Sequence, residues 1–247
     1  MNVSISFDFI QRRTCENSEP FDLKDFCTIV IDVLRASTTI CTLLELCDNI
    51  YITDSVEEAS TYNNAIKIGE RNGKKLENFD FGNSPIEIRR NKDKILSQVK
   101  NGKDIVLTTT NGTRILKSIT CDHILLGSIT NAKYVAEKAY QISKEHNKDI
   151  LLIPCHRKGK FAIEDFVGAG LITDHLLKLI KEENSHHNEE LTSARCLTKM
   201  DWKSLIMNSN SANNLKNLGY YEDLIFCTSE NIQKTVGMYK DGKIVRI

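Results

Sequence analysis

Short runs of β-branched and aliphatic residues recur along the chain, and between them apolar positions return every three or four residues. The runs read as strands near 3–9, 28–33, 49–53, 104–109, 123–127, 149–154, 224–228 and 235–247, the last a hairpin turning at Asp241-Gly242. Helical spacing fits 36–47, 56–69, 84–99, 112–119, 131–146, 164–182, 189–209 and 211–218. Strand and helix alternate, which predicts βαβ units, a largely parallel sheet and helices on both its faces. Four segments repeat one local plan of strand, polar loop and helix: IVIDVLRASTTI, IVLTTTNGTRIL, ILLGSITNAKYVAEKA and ILLIPCHRKGKFAIEDFVGAG. Internal duplication and the ordinary habit of α/β chains both produce such a plan.

Composition narrows the class rather than the function. At 247 residues the chain suits one large α/β domain or two small ones, given about 150 residues per domain. The polar interval Lys181–Thr198 reads as a surface connection rather than a linker, so we expect a single domain over 1–247. Lys+Arg and Asp+Glu both total 33, so overall charge favours neither nucleic acid nor an acidic membrane surface. No run approaches the ~18 apolar residues of a membrane span, and the first residues lack the pattern of a signal peptide. The eight cysteines contain no Cys-x-x-Cys pair and most lie in apolar segments, as reduced thiols of a cytoplasmic protein do.

The chemistry concentrates after the strands. Asp32 ends the strand 28–33, and Arg35, Ser37, Thr38 and Thr39 lead into a helix. Open α/β sheets place ligands at this junction, and the unpaired N–H groups of a helix start attract anions. Ile29–Ile40 therefore reads as a phosphate-handling site with a cation ligand beside it. Thr108–Arg114 (TTTNGTR) offers hydroxyls, an amide and open backbone N–H groups, though Asn111-Gly112 is also a common turn. GSITN, ending at Asn131, repeats the idea, with capping by Ser128 or Thr130 as the plainer account. The long loop Gly69–Pro85 carries Glu70 and Arg71, as an ion pair or as site groups, and Asn83-Ser84-Pro85 turns into a helix. Glu164 and Asp165 either complement the dipole of their helix, or one of them binds a divalent cation or acts as a base. Neighbours on a helix project about 100° apart, so one of the two should face the site. His156 and Arg157 follow a strand as candidate substrate contacts, whereas His186-His187 reads as solvated. The G-x-x-x-x-G-K-[ST], G-x-G-x-x-G and G-x-S-x-G signatures are missing, as are a Cys-x5-Arg loop and the second aspartate of an Asp-x-Asp phosphatase motif.

Taken together and in order, IVIDVLRASTTI, GERNGKK with FDFGNSP, TTTNGT, GSITNA and GKFAIEDFVGAG resemble the 2-phosphosulfolactate phosphatase (ComB) family. The resemblance spans Thr28 to Gly170. It implies a three-layer α/β/α fold with a largely parallel or mixed sheet and two related halves. It also implies a Mg²⁺-dependent phosphatase converting (2R)-2-phospho-3-sulfolactate to 3-sulfolactate and phosphate, a step toward coenzyme M. The family pattern has acidic residues near Ser193 and Asn231, a histidine near Ser211 and a proline where Gly237 stands, so the C-terminal third departs from it.

A substrate bearing phosphate, carboxylate and sulfonate needs several anchors, and Arg35, Arg71, Arg114 and Arg157 are the guanidiniums near the loops. The expected site has Asp32, Arg35 and Glu164 as catalytic groups, with Asp32, Glu164 and Asp165 toward Mg²⁺. Ser37, Thr38, Arg71, Thr109, Asn111, Gly112, Thr113 and Asn131 would bind substrate. The partners expected are a small phosphorylated anion and, at this size, a second copy in a homodimer. Two other readings stand beside it: a phosphatase of the same fold acting on another phosphorylated hydroxy acid, and a catalytically silent protein that binds anionic metabolites.

Overall fold

The structure, a computed structural model, describes residues 1–7, 21–109, 112–157, 159–180 and 188–247. The first half of the described chain runs β1 (Val3–Ile5), β2 (Phe21–Asp22), β3 (Phe26–Ile31), α1 (Ala36–Leu44), β4 (Asn49–Thr53), α2 (Val56–Thr61), β5 (Ala65–Arg71) and β6 (Lys74–Lys75). Next come α3 (Pro85–Arg90), α4 (Lys92–Lys100), β7 (Asp104–Thr108), α5 (Gly112–Lys117), β8 (Ile119–Thr120), β9 (His123–Gly127), α6 (Ala132–His146) and β10 (Asp149–Pro154). The chain continues through α7 (Ile163–Ile180), α8 (Glu189–Leu197), α9 (Trp202–Met207), α10 (Asn210–Asn217) and α11 (Tyr221–Cys227) to β11 (Gly237–Lys240) and β12 (Lys243–Arg246).

Ten strands form one mixed sheet in the order β1-β10-β3-β9-β11-β12-β4-β7-β5-β6. It holds two parallel blocks. The first, β1-β10-β3-β9, draws on the N-terminal segment 3–31 and on residues 123–154, and the second, β4-β7-β5, is contiguous over residues 49–108. The hairpin β11-β12 joins them, antiparallel to β9 on one side and to β4 on the other. Its turn lies at Asp241 and Gly242, both with positive φ, as a two-residue type I′ turn requires.

Alternation along the strands builds the three layers. Ile29 and Ile31 of β3, Leu125 of β9 and Ile150 and Leu152 of β10 pack with α6, α7 and α8 on one face. Val30, Leu126, Leu151 and Ile153 point the other way, into a core with Ile40, Leu43, Ile88, Ile95 and Ile115 of the opposite helices. That second core also takes Ile66, Ile68, Ile105 and Leu107 of the far block, so the sheet curls around it.

Several elements differ from the sequence reading, each for a local reason. The helix expected over 56–69 stops at Thr61, and Ala65–Arg71 is a strand parallel to β7. AIKIG fits both periods as a short run, and pairing with β7 decides for the strand. The expected strand 224–228 is instead the end of α11, where Leu224 and Cys227 are buried at helical spacing and Ile225 is exposed. The long helices 84–99 and 189–209 each break in two, at Asn91 and before Asp201, whose side chain caps α9. The seven described cysteines form no disulfide, and burial pushes the Cys27 and Cys41 thiols up to about 12. No helix among the described residues is long and apolar enough to cross a membrane.

α7 meets α8 at Gly170, where a Cβ would lie 2.5 Å from the Ala194 carbonyl oxygen. Gly170→Ala is therefore expected to cost about 1–3 kcal/mol of stability, measured as a lower urea midpoint with an unchanged slope.

Candidate active site

The ends of β3, β5, β7 and β10 meet at one cavity of about 280 Å³. The loop after β3 supplies Asp32, Leu34 and Arg35, and β5 with the turn after it supplies Glu70, Asn72 and Gly73. Thr109 follows β7, and His156 and Arg157 follow β10. Glu164 and Asp165 come from the first turn of α7, Asn83 from the turn before α3, and Ser211, Asn214 and Leu215 from α10.

The loop after β3 is held from several directions. Asp32 Oδ1 accepts from Ala36 N–H at 3.1 Å, and Ser37 Oγ accepts from Asp32 N–H at 3.1 Å. Thr38 Oγ1 donates to the Val33 carbonyl at 3.1 Å and shares a 2.6 Å hydrogen bond with Ser128 Oγ. From α7, Asp165 Oδ1 accepts from Val33 N–H at 2.7 Å. The Leu34–Arg35 peptide is cis.

Charge is buried here to an unusual degree. Asp32, Glu70, Glu164 and Asp165 all line the cavity and all are buried. Burial, reinforced by the charges of Glu70 and Glu164, pushes the Asp32 carboxyl up to about 6 against the pull of the Ala36 N–H and Arg35. Burial and the neighbouring charges of Asp32 and Glu164 raise Asp165 well above the usual carboxylate range. Arg35 is buried too, but its charge is already matched: Nη1 donates to Asp223 Oδ2 at 2.5 Å. Its Nη2 donates to the Gly73 carbonyl at 3.0 Å, and the guanidinium lies 4.3 Å from the Tyr220 ring centre. Asp223 Oδ1 accepts from Ser84 Oγ at 2.8 Å and Ile86 N–H at 3.1 Å. One carboxylate thus ties the β3 loop to the start of α3. The described lining carries four carboxyl groups against two guanidiniums, Arg35 and Arg157.

Of the residues expected from sequence, Asp32, Arg35, Thr109, Glu164 and Asp165 come together at this cavity. Both acids of α7 line it, where one was expected, because Asp165 reaches across to the β3 loop. Ser37 and Thr38 do not line it; their hydroxyls hold the loop instead. Arg71 turns away, donating to the Glu70 and Asp54 carbonyls and to Thr108 Oγ1. Asn131 forms a capping box with Ser128, and its Nδ2 donates to the Leu126 and Thr235 carbonyls. Gly112 opens α5, while Asn111 and the side chains of Thr113 and Arg114 lie outside the described residues. Sequence reasoning missed Asn83, Asn214 and Asp223. Asn83 read only as a turn residue, and Asp223 preceded a run taken for a strand.

Two measurements follow from the buried charges. The folded state keeps the Asp32 proton up to about pH 6, while the unfolded chain releases it near 3.8. The metal-free protein should therefore lose stability as pH rises from about 4 to about 6 and level off above. Asp32→Asn should flatten that slope in a urea titration at each pH. Asp223→Ala leaves the Arg35 charge buried and unmatched and should cost about 3–5 kcal/mol, while Arg35→Met with Asp223→Leu should recover most of the loss.

The sequence model of the 2-phosphosulpholactate phosphatase family matches residues 13–242. A Methanocaldococcus jannaschii protein named 2-phosphosulfolactate phosphatase is 53% identical over 215 residues, covering 87% of this chain and 89% of the relative. Proteins named probable 2-phosphosulfolactate phosphatase are 37% identical in Thermotoga maritima, covering 88% of this chain and 90% of the relative, and 34% identical in Clostridium acetobutylicum, covering 90% and 93%. The five motifs, the mixed α/β sheet and these matches agree, and the chain belongs to the 2-phosphosulfolactate phosphatase family.

Proposed function

We propose that this chain is a Mg²⁺-dependent phosphatase that hydrolyses (2R)-2-phospho-3-sulfolactate to 3-sulfolactate and phosphate, the type of step that leads toward coenzyme M. The observation that carries the reading is the cavity itself: four buried carboxylates beside Arg35 and Arg157 at the C-terminal ends of parallel strands.

The residues fit a hard divalent cation in a particular way. Among the described residues no three His, Cys, Asp or Glu side chains form a ready-made metal cage. Mg²⁺ needs none, since it commonly keeps several waters and takes one or two carboxylates together with substrate phosphate. Asp32, with Glu164 and Asp165 beside it, supplies those carboxylates, and their mutual repulsion favours a cation among them. When bound, Mg²⁺ supplies charge neutralisation at the phosphoryl oxygens and orients the attacking oxygen.

The chain does the rest. Arg35, fixed by Asp223 and Gly73, has N–H groups left to meet an oxyanion. Thr109 lines the cavity from the end of β7. With its carboxyl at about 6, Asp32 is ionised at neutral pH, free to hold an incoming water or receive its proton.

Phosphate release from phosphosulfolactate is expected with Mg²⁺ and should vanish with chelator. Asp32→Asn should lower kcat/KM by about 10²-fold or more. Release that ignores chelation would remove the metal assignment. Preference for phospholactate or a phosphoglycerate would move the substrate, and no release from any of them would remove the enzyme reading.

A further inference from the structure

Asn83 lines the cavity with only 4% of its surface exposed, yet its Oδ1 meets no hydrogen-bond partner among the described residues. A buried carboxamide oxygen left unpaired is costly, roughly 1–3 kcal/mol, and such groups in folded proteins call for an explanation. The backbone around it is not loose. Ser84 Oγ accepts from Glu87 N–H at 3.0 Å and donates to Asp223, Pro85 opens α3, and Gly82 N–H donates to Glu87 Oε2 at 2.9 Å. The turn is pinned on both sides of Asn83, so the unpaired amide is held in place rather than caught in passing. The same Asp223 that fixes this turn also fixes Arg35.

We propose that Asn83 is a ligand-contacting residue whose carboxamide takes an anionic oxygen of the bound substrate. The proposal rests on the phosphatase reading and adds a residue to it. Among the described residues no partner dictates which end of the amide faces the cavity, so Nδ2 can donate to an oxyanion. A neutral donor suits this place. It grips an oxygen without a further buried charge, and the guanidinium anchored through the same carboxylate supplies the positive partner. A substrate carrying two or three anionic groups offers oxygens beyond those Arg35 can reach. The oxygen belongs either to the phosphate or to the other anionic groups of the substrate.

Calorimetric titration with Mg²⁺ present separates these sources, using inorganic phosphate in one arm and 3-sulfolactate in the other, on the parent and on Asn83→Leu, which removes the polar atoms at similar volume. Affinity for at least one anion should fall about ten- to a hundredfold, and the arm that falls names the end gripped. The ligand-free melting temperature should stay level or rise, because an unsatisfied buried group has been removed. Should Asn83→Leu not fold, Asn83→Ala gives the same readouts. A folded variant that binds both anions within twofold of the parent overturns the assignment. So does a loss of affinity accompanied by a lower ligand-free melting temperature, which marks a structural role. If the parent turns over substrate while the variant's affinities are unchanged, Asn83 alone is wrong. If the parent neither binds nor hydrolyses, the phosphatase reading falls and this assignment with it.

Discussion

Burying charge at the cavity is the constraint on which the rest of the structure turns. Taking carboxylates out of water is expensive unless each finds a proton, a hydrogen-bond donor or a counter-charge. Here the solutions differ from group to group. Asp223 is matched by Arg35 and two further donors, and Asp165 by the Val33 N–H. Asp32 has the Ala36 N–H and a raised pKa of about 6. Each solution ties a distant element to the β3 loop: α11 and the start of α3 through Asp223, α7 through Asp165. The interactions that make the acids tolerable are the same ones that place them.

The sheet must also deliver two sets of strand ends to one spot. Three antiparallel pairings, β9 with β11, β11 with β12 and β12 with β4, reverse the second parallel block relative to the first. In a flat sheet the C-terminal ends of the blocks would lie on opposite edges, far apart. Thr109 and Glu70 from the second block nonetheless line the same cavity as Asp32 and His156 from the first. Right-handed twist of roughly 20–25° per strand, accumulated across the sheet, helps to bring the two sets of ends together. The shared core of Val30, Leu151, Ile66 and Leu107 shows the curl that results.

What the sequence made legible follows from this geometry. Asp32 could be found because a buried strand that ends on an acid before a helix has few structural excuses. Glu164 and Asp165 stood out at a helix start among apolar neighbours for a similar reason. Ser37, Thr38 and Asn131 hold their turns in the structure, because hydroxyls and amides at a strand-to-helix turn hold the turn as readily as they hold an anion. Arg71 lies one residue past Glu70 on a strand, where side chains alternate, so only one of the pair can face the cavity. Asp223 and Asn214 were out of reach, since both come from late helices that only the tertiary fold brings over the β3 loop. The antiparallel centre of the sheet was hidden too, because period-two patterning is silent about strand direction.

The hairpin over residues 237–246 has a consequence for how the molecule is made. It sits between blocks whose strands all precede it in the chain. On the ribosome, both blocks emerge first, with β9 and β4 presenting open edges that have no partner yet. Neither edge can close, and the two groups of strand ends cannot meet, until the hairpin has left the exit tunnel. Loss of these residues would remove the middle of the sheet rather than trim its margin. The nascent chain therefore carries two exposed sheet edges from the completion of β10 until the hairpin emerges, a state in which shielding by a chaperone would be worth most.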